Sequence, residues 1–265
     1  MPAPKHPTVL VRSPSPRLAQ GLVTHIDRFP VDTELAHRQW RGYVDVLSEL
    51  GWNVVSVPPA DDCPDSVFVE DAVVMFRGTA IITSPGAPER RPEIEGVEET
   101  VRGLDLPTRR IDTTARLDGG DVLKIGDTVY VGRGGRTDDR GIASLAAIVN
   151  ELGGRVVPVP VTKVLHLKSA LTALPDGTVI GWDPVVDDRS LFPRYVTAHE
   201  EPGAHVVVLD DHSVLMASSA ERTARYLRAD GWRVVQVDIS EFEKLEGCVT
   251  CLSVRLRVGD DHAPR

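Results

Sequence analysis

Short apolar runs recur along the chain at regular distances, and polar turns separate them. Five runs resemble one another, at 8–13, 79–84, 128–133, 178–183 and 213–218. Four of these follow a tight-turn sequence such as "RG", "GD", "PDG" or "DD", and another apolar run precedes each turn. Two strand-like runs on either side of a tight turn are typical of a β-hairpin.

Most of these hairpins are followed by a segment with the 3.6-residue periodicity of an amphipathic helix. Three such segments are predicted, within 33–51, 140–153 and 219–231. Each closes on a glycine, a residue that favours the positive φ of a helix C-terminus. Buried strands follow directly, with the related sequences "WNVVSVP", "GRVVPVP" and "WRVVQVD".

The repeating unit is therefore strand–strand–helix–strand, used about five times, which predicts an α/β propeller of ββαβ repeats. Residues 184–203 are rich in proline and acids, so a weak helix or a loop is expected in the fourth unit. The first unit lacks its first strand, and "CLSVRLR" at 251–257 is left over. Pairing of 251–257 with 8–13 would close the ring and remove two open sheet edges. The predicted organisation is a single domain over 1–258 and a short flexible tail over 259–265. The alternative to the propeller is one open α/β sheet.

Composition narrows the possible partners. The chain has 265 residues and a formal net charge of −9, which disfavours nucleic acid and favours a cationic ligand. Neither an apolar run long enough for a membrane span nor a secretory signal is present, so a cytoplasmic location is expected. Three cysteines are too few for a disulfide framework.

Side chains capable of acid–base or nucleophilic chemistry lie at equivalent positions of the units, in the segment that follows the last strand of one unit and begins the hairpin of the next. Such positions meet near the axis of a ring, so we expect carboxylates, a histidine and a cysteine to share one site. Buried acids must find hydrogen bonds or a cation, because unpaired buried charge is costly. The residues concerned are Asp65, Glu70, Asp71, Asp118, Asp121, His166, Lys168, His205, Cys248 and Cys251.

The last of these segments, "EGCVTCLSV", leaves four interpretations open: a disulfide, a zinc knuckle, a buried core strand or a nucleophile. Cys248 and Cys251 have CxxC spacing, but there is no second CxxC or histidine pair to complete a structural zinc site. In an extended segment the two side chains would point to opposite faces, so only one could reach the axis.

Six motifs in order resemble the dimethylarginine dimethylaminohydrolases, which belong to the guanidine-modifying superfamily. They are "PDSVFVED", "PGAPERR", "LDGGDVL", "RTDDRG", "LHLKSAL" and "TCLSV", and the resemblance runs from about Val9 to Leu256. It implies the pentein fold, a five-bladed α/β propeller of ββαβ units, in agreement with the repeat. It also implies that neither a metal nor an organic cofactor is needed.

The resemblance implies a role for each matching residue. Cys251 corresponds to the nucleophile, His166 to the proton donor and Asp118 to the acid that accompanies the histidine. Glu70 and Asp71, with Asp65 nearby, would surround the substrate's guanidinium and amine. The remaining implied substrate-binding residues are Arg90 and Arg136, for the substrate's polar end, and Leu22 and Leu245, which would line the site.

The implied reaction is hydrolysis of dimethylarginine and monomethylarginine to citrulline and the amine, through a thiouronium on Cys251. Alternatives are a sister hydrolase of arginine or citrulline, a non-catalytic guanidine-binding protein, and a zinc hydrolase using His166, Asp118 and Cys251. "GAH" at 203–205 departs from the Ala-Asn-Cys of many relatives, which leaves fine substrate preference open. Cys248 has no implied role, and the oligomeric state, a homodimer included, stays open.

Overall fold

A computed structural model describes residues 7–256. Fifteen short strands are found in this part of the chain. They are β1 (Thr8–Val11), β2 (Asn53–Ser56), β3 (Val73–Phe76), β4 (Thr79–Ile82), β5 (Thr108–Arg110), β6 (Val122–Ile125), β7 (Thr128–Arg133), β8 (Arg155–Pro160), β9 (Leu171–Ala173), β10 (Val179–Gly181), β11 (Tyr195–Thr197), β12 (Val207–Asp210), β13 (Ser213–Ala217), β14 (Arg233–Val237) and β15 (Val254–Leu256).

The strands form five three-stranded sheets with one shared topology. In each, the middle strand pairs antiparallel with one neighbour and parallel with the other. The orders are β15–β1–β2, β3–β4–β5, β6–β7–β8, β9–β10–β11 and β12–β13–β14. The four predicted hairpins and the third strand of each unit are thus confirmed, and the alternative of one open sheet is wrong.

Helices join the second and third strands in four sheets, and the three helices predicted from periodicity are confirmed. The helices are α1 (Thr33–Glu49), α2 (Ile94–Gly103), α3 (Asp139–Glu151), α4 (Leu167–Ala170), α5 (Glu221–Ala229) and α6 (Ser240–Glu243). Gly51, Gly153 and Gly231 follow their helices with φ of 84°, 81° and 96°. The fourth unit has only a 3₁₀ turn at Arg189–Leu191 in this place, consistent with the weak helix or loop expected.

The two ends of the described chain lie in one sheet. β15 pairs antiparallel with β1, with Thr8 opposite Leu256 and Leu10 opposite Val254. The predicted pairing of the terminal strands is therefore confirmed, whereas closure of the five sheets into a ring stays a prediction. The predicted tail, 259–265, lies outside the described residues. Over residues 7–256, no helix is long and apolar enough to cross a membrane.

A short helical turn precedes the first strand of four sheets, and in one of them it replaces part of a run read from the sequence as strand. The apolar run 67–76 begins its strand only at Val73, because Val69–Ala72 forms a 3₁₀ turn. Gly119–Asp121, α4 and Glu201–Ala204 occupy the equivalent place before β6, β9 and β12. These turns and the residues that flank them carry most of the polar residues identified from the repeat: Glu70, Asp71 and Asp121 lie in the turns with Lys168, and Asp118, His166 and His205 flank them.

Candidate active site

The turns from different units are packed against one another tightly enough to require glycine. The backbone N–H of Gly120 donates to Oδ1 of Asp71 at 2.8 Å. A Cβ at Gly120 would lie 2.6 Å from Nδ1 of His166 and 2.7 Å from Oδ1 of Asp71. The "LDGGDVL" motif therefore allows the Asp71 and His166 turns to approach closely.

A small cavity of about 20 Å³ opens beside these turns. It brings together eight of the ten residues to which the resemblance assigns a role and leaves two, Asp118 and Glu70, outside its wall. Its lining consists of Leu22, Asp65, Phe68, Asp71, Arg90, Arg136, Leu165, His166, Leu245, Glu246, Gly247 and Cys251.

Asp118 does not line the cavity but contacts the cavity residue His166. Its Oδ2 lies 2.9 Å from Nε2 of His166, and its Oδ1 accepts the N–H of Gly86 at 2.7 Å. The imidazole is buried, and its Nδ1 lies 3.9 Å from Oδ1 of Asp71. The Leu167 N–H donates to Asp121 at 2.8 Å, which fixes the backbone beside the histidine. The histidine ring is therefore held between acids.

These acids set the charge of the imidazole. Burial alone lowers the pKa of His166, but Asp71, the hydrogen bond to Asp118 and Asp121 together raise it to about 9. Burial would raise the pKa of Asp71, yet His166 and Arg90 hold it below its ordinary value. For Asp121, burial prevails and raises the pKa to about 6. The geometry thus favours an imidazolium at neutral pH, with both ring nitrogens protonated.

Cys251 lies in a turn, so the expectation of an extended segment with oppositely directed cysteines is wrong. Its N–H donates to the carbonyl of Cys248 at 3.1 Å, and the two Sγ atoms are 3.4 Å apart. The hydrogen bond to Cys248, burial and the charges of Glu70 and Asp71 raise the pKa of the Cys251 thiol. The carbonyl of Cys251 also accepts the N–H of Glu70 at 3.2 Å, tying this turn to the acid-bearing one.

The two arginines differ in how many donors they leave free. Arg90 is buried in an ion-pair network: it contacts Asp71, donates to Glu93 at 2.8 Å and donates to the carbonyls of Asp65 and Phe68. Arg136, by contrast, has a buried Nη1 without a hydrogen-bond partner among residues 7–256, 3.6 Å from Oδ2 of Asp118. Arg136 is therefore the arginine with an unused donor at the cavity.

Glu70 faces away from the small cavity. Its Oε1 lies 2.6 Å from Nζ of Lys168 and 3.3 Å from Nη2 of Arg255. These three residues line a separate, larger cavity of about 700 Å³. Glu70 and Asp71 are adjacent in sequence, but only Asp71 lines the cavity with His166 and Cys251.

Two walls of the cavity come from segments far apart in sequence. The Leu22 N–H donates to both carboxylate oxygens of Asp65, at 3.2 and 3.1 Å, and burial raises the Asp65 pKa. Glu246 accepts the N–H groups of Thr24 and His25, each at 2.7 Å. These contacts hold the segment carrying Leu22 over the site.

The sequence argument missed Phe68, Leu165, Glu246 and Gly247, which all line the cavity. Each lies close in sequence to a residue that was identified, so proximity along the chain was the available signal. Glu246 also has an unusual backbone conformation that only the structure shows, since it is a non-glycine residue with a φ of 60°. Backbone strain of this kind is a frequent feature of functional sites.

The zinc alternative named His166, Asp118 and Cys251 as ligands. The group of potential ligands that the described residues bring within 4.8 Å of one another is instead Asp71, Asp118 and His166. Cys251 is not part of it.

Comparison with known proteins places this chain in a family. A family model described as arginine deiminase matches residues 60–213. The chain is 62% identical to the N(G),N(G)-dimethylarginine dimethylaminohydrolase of Streptomyces coelicolor, over 94% of this chain and 96% of the relative. The chain belongs to the dimethylarginine dimethylaminohydrolase family.

Solved structures of dimethylarginine dimethylaminohydrolases share the fold. A cysteine-to-serine mutant from Pseudomonas aeruginosa, complexed with citrulline, gives a TM-score of 0.88 at 32% identity, over 95% of this chain and 99% of that one. A histidine-to-glycine variant, an adduct with S-methyl-L-thiocitrulline, also gives 0.88, at 31% identity, over 95% of this chain and 100% of that one. The pentein fold implied by the resemblance is thereby confirmed.

Proposed function

We propose that this chain hydrolyses Nω,Nω-dimethylarginine and Nω-monomethylarginine to citrulline and the corresponding amine. The observation that carries the proposal is one acid-lined cavity with Cys251 and His166 in its wall, the His166 imidazole being held by Asp118. A cysteine, a cationic proton donor and carboxylates are what displacement of an amine from a guanidinium requires. The two dimethylarginine dimethylaminohydrolase complexes, with citrulline and with S-methyl-L-thiocitrulline, support this substrate class.

Electrostatic attraction would bind the cationic substrate in the cavity. Asp71 is buried at the cavity and would accept hydrogen bonds from the planar guanidinium, which bind carboxylates strongly. Arg136 supplies an unused donor for the α-carboxylate at the other end of the substrate. Arg90, also in the cavity wall, adds positive charge there, and Asp65, whose pKa is raised by burial, would accept hydrogen bonds from the substrate's cationic amine.

The chemical step uses Cys251 and His166. Once the cationic substrate is bound, the Cys251 thiol loses its proton to water; the thiolate then attacks the guanidinium carbon, and the bond from that carbon to the methylated nitrogen breaks. Nε2 of His166 is occupied by Asp118, so Nδ1–H gives its proton to the departing amine. A thiouronium then links the substrate carbon to Cys251.

Water completes the reaction. It gives a proton back to His166 and attacks the thiouronium carbon, the carbon–sulfur bond breaks, and citrulline leaves with Cys251 regenerated. Positioning supplies much of the rate in such a scheme. Glu70 lies outside the cavity: it forms ion pairs with Lys168 and Arg255 and, by its charge, opposes ionisation of Cys251 until a cationic substrate arrives.

The decisive experiment incubates the chain with asymmetric dimethylarginine, monomethylarginine, arginine and citrulline in parallel and identifies products by mass spectrometry. We expect citrulline with dimethylamine or methylamine. The arginine deiminase family match makes arginine the second candidate. Citrulline and ammonia from arginine, at a higher kcat/KM than for either methylated substrate, would replace the proposal, and substrate binding without any product would favour a binding protein.

A further inference from the structure

The CxxC pair at the cavity has a geometry that the proposed hydrolysis does not use. Cys248 and Cys251 have their Sγ atoms 3.4 Å apart, and the Cys248 N–H donates to Sγ of Cys251 at 3.5 Å. Cys63, the third cysteine, is buried elsewhere, with its N–H donating to the carbonyl of Ala60. All three thiols are free in this structure.

The backbone between the two thiols is suited to a disulfide. The hydrogen bond from the Cys251 N–H to the Cys248 carbonyl marks a turn, which holds the two Cα atoms within about 7 Å. Disulfides have Cα separations of roughly 4.4–6.8 Å and a bond of about 2.05 Å, so the sulfurs need to approach by little more than about 1 Å. Rotation about the side-chain bonds supplies a movement of this size without a change of fold.

We infer that Cys248 and Cys251 form a reversible disulfide that switches the enzyme off under oxidising conditions. Cys251 lines the cavity, which gives a small oxidant a route to its sulfur. Cys248 is buried directly behind it, where it can capture the oxidised sulfur before a second oxidation. The disulfide itself is independent of the proposed function; the loss of activity rests on Cys251 being the nucleophile.

The redox step balances with a peroxide as oxidant. The Cys251 sulfur attacks one peroxide oxygen, the oxygen–oxygen bond breaks, and a sulfenic acid and water form. The Cys248 sulfur then attacks the sulfenic sulfur, the sulfur–oxygen bond breaks, and hydroxide leaves with the Cys248 thiol proton as a second water. Two thiols lose two electrons in total, and a dithiol reductant returns them. The ring closed by so near a pair is small, so its entropic stabilisation is slight and the bond is open to reduction.

The test treats the full chain with graded hydrogen peroxide and measures intact mass, alkylation of remaining thiols and citrulline formation together. We expect the loss of two hydrogen atoms, a Cys248–Cys251 link in peptide maps, and activity that falls in proportion to the linked fraction. Dithiothreitol should restore the mass and the activity. In Cys248→Ala, peroxide should add oxygen atoms to Cys251 instead, and dithiothreitol should not recover the activity.

Cys63→Ala is the matched control, because it removes a buried thiol away from the pair and should behave like the parent chain. Added oxygen on Cys251 while Cys248 remains open to alkylation in the parent chain would overturn the inference, as would equal recovery in Cys248→Ala. Mass and peptide maps report the disulfide without any activity. A chain that forms the link but makes no citrulline when reduced would therefore refute the proposed function and leave the disulfide standing.

Discussion

Replacing Asp118 by asparagine tests the electrostatic basis of the site most directly. The asparagine amide would keep an oxygen for Nε2 of His166 or for the Gly86 N–H, so the shape changes little while the charge is lost. Hydrogen bonds to charged groups contribute about 1.5–3 kcal/mol, and one pKa unit corresponds to about 1.4 kcal/mol. We therefore expect the pKa of His166 to fall from about 9 by roughly 1–2 units.

The consequence is a change in which form of the imidazole is populated. At pH 8 a pKa of about 9 keeps about 90% of His166 protonated, whereas a pKa of about 7.5 keeps only about 25%. The proton donor of the proposed mechanism would then be missing from most molecules in the alkaline range. The kcat of Asp118→Asn should fall most steeply there and recover partly on acidification.

Ring-nitrogen NMR of ¹⁵N-histidine-labelled protein measures the titration directly. The chain has eight histidines, so His166→Gln identifies the resonance of interest. Asp210→Asn, at the end of β12, is the matched control and should leave the His166 titration unchanged. A His166 pKa that stays within a few tenths of a unit of the parent value in Asp118→Asn would refute the argument that this carboxylate sets the charge.

Three further predictions follow from the same geometry. Arg136→Ala removes a charged contact worth about 2–5 kcal/mol, so KM should rise about 30-fold or more while iodoacetamide still alkylates Cys251. An unchanged KM would contradict the assignment, and the control is Arg133→Ala, which changes an exposed arginine in β7. Gly120→Ala should abolish activity and destabilise the fold by about 1–3 kcal/mol, whereas Gly42→Ala, with open space around it in α1, should be neutral or stabilising in urea unfolding. Because His166 has a raised pKa in the folded protein, its protonation stabilises the fold by the full amount below the unfolded pKa near 6.5, and this stabilisation disappears as the pH rises through about 9. The free energy of unfolding should therefore fall by about 2–3 kcal/mol between about pH 7 and pH 10, and it should fall much less in His166→Gln.

The repeat could be predicted from the sequence because its signals are local. Alternating apolar runs, tight turns and helix-ending glycines each depend on a few neighbouring residues, and most of the units repeat them. The pairing of β15 with β1 followed from counting strands. One helix, α2, was overlooked although Ile94, Val97 and Val101 lie at helical spacing and are buried.

Much of the composition of the site could also be predicted from the sequence: the repeat indicated four of the residues that line the cavity, and the resemblance added Leu22, Arg90, Arg136 and Leu245. The detailed arrangement of the site could not be predicted. Glu70 and Asp71 are neighbours, and only the 3₁₀ turn at Val69–Ala72 directs one towards Lys168 and the other towards His166. No local pattern specifies that turn, because its conformation depends on the segments from other units that are packed against it.

The two cysteines show the same difference between what the sequence determines and what only the tertiary structure determines. The sequence determined their spacing and their position before the last strand, and the resemblance indicated Cys251 as the nucleophile. Only the tertiary structure decided that 248–251 forms a turn with the two Sγ atoms 3.4 Å apart. The direction of a side chain in an irregular segment depends on the contacts around it, here the carbonyl–amide hydrogen bond to Glu70 and the buried environment of both thiols, and those contacts come from parts of the chain far away in sequence.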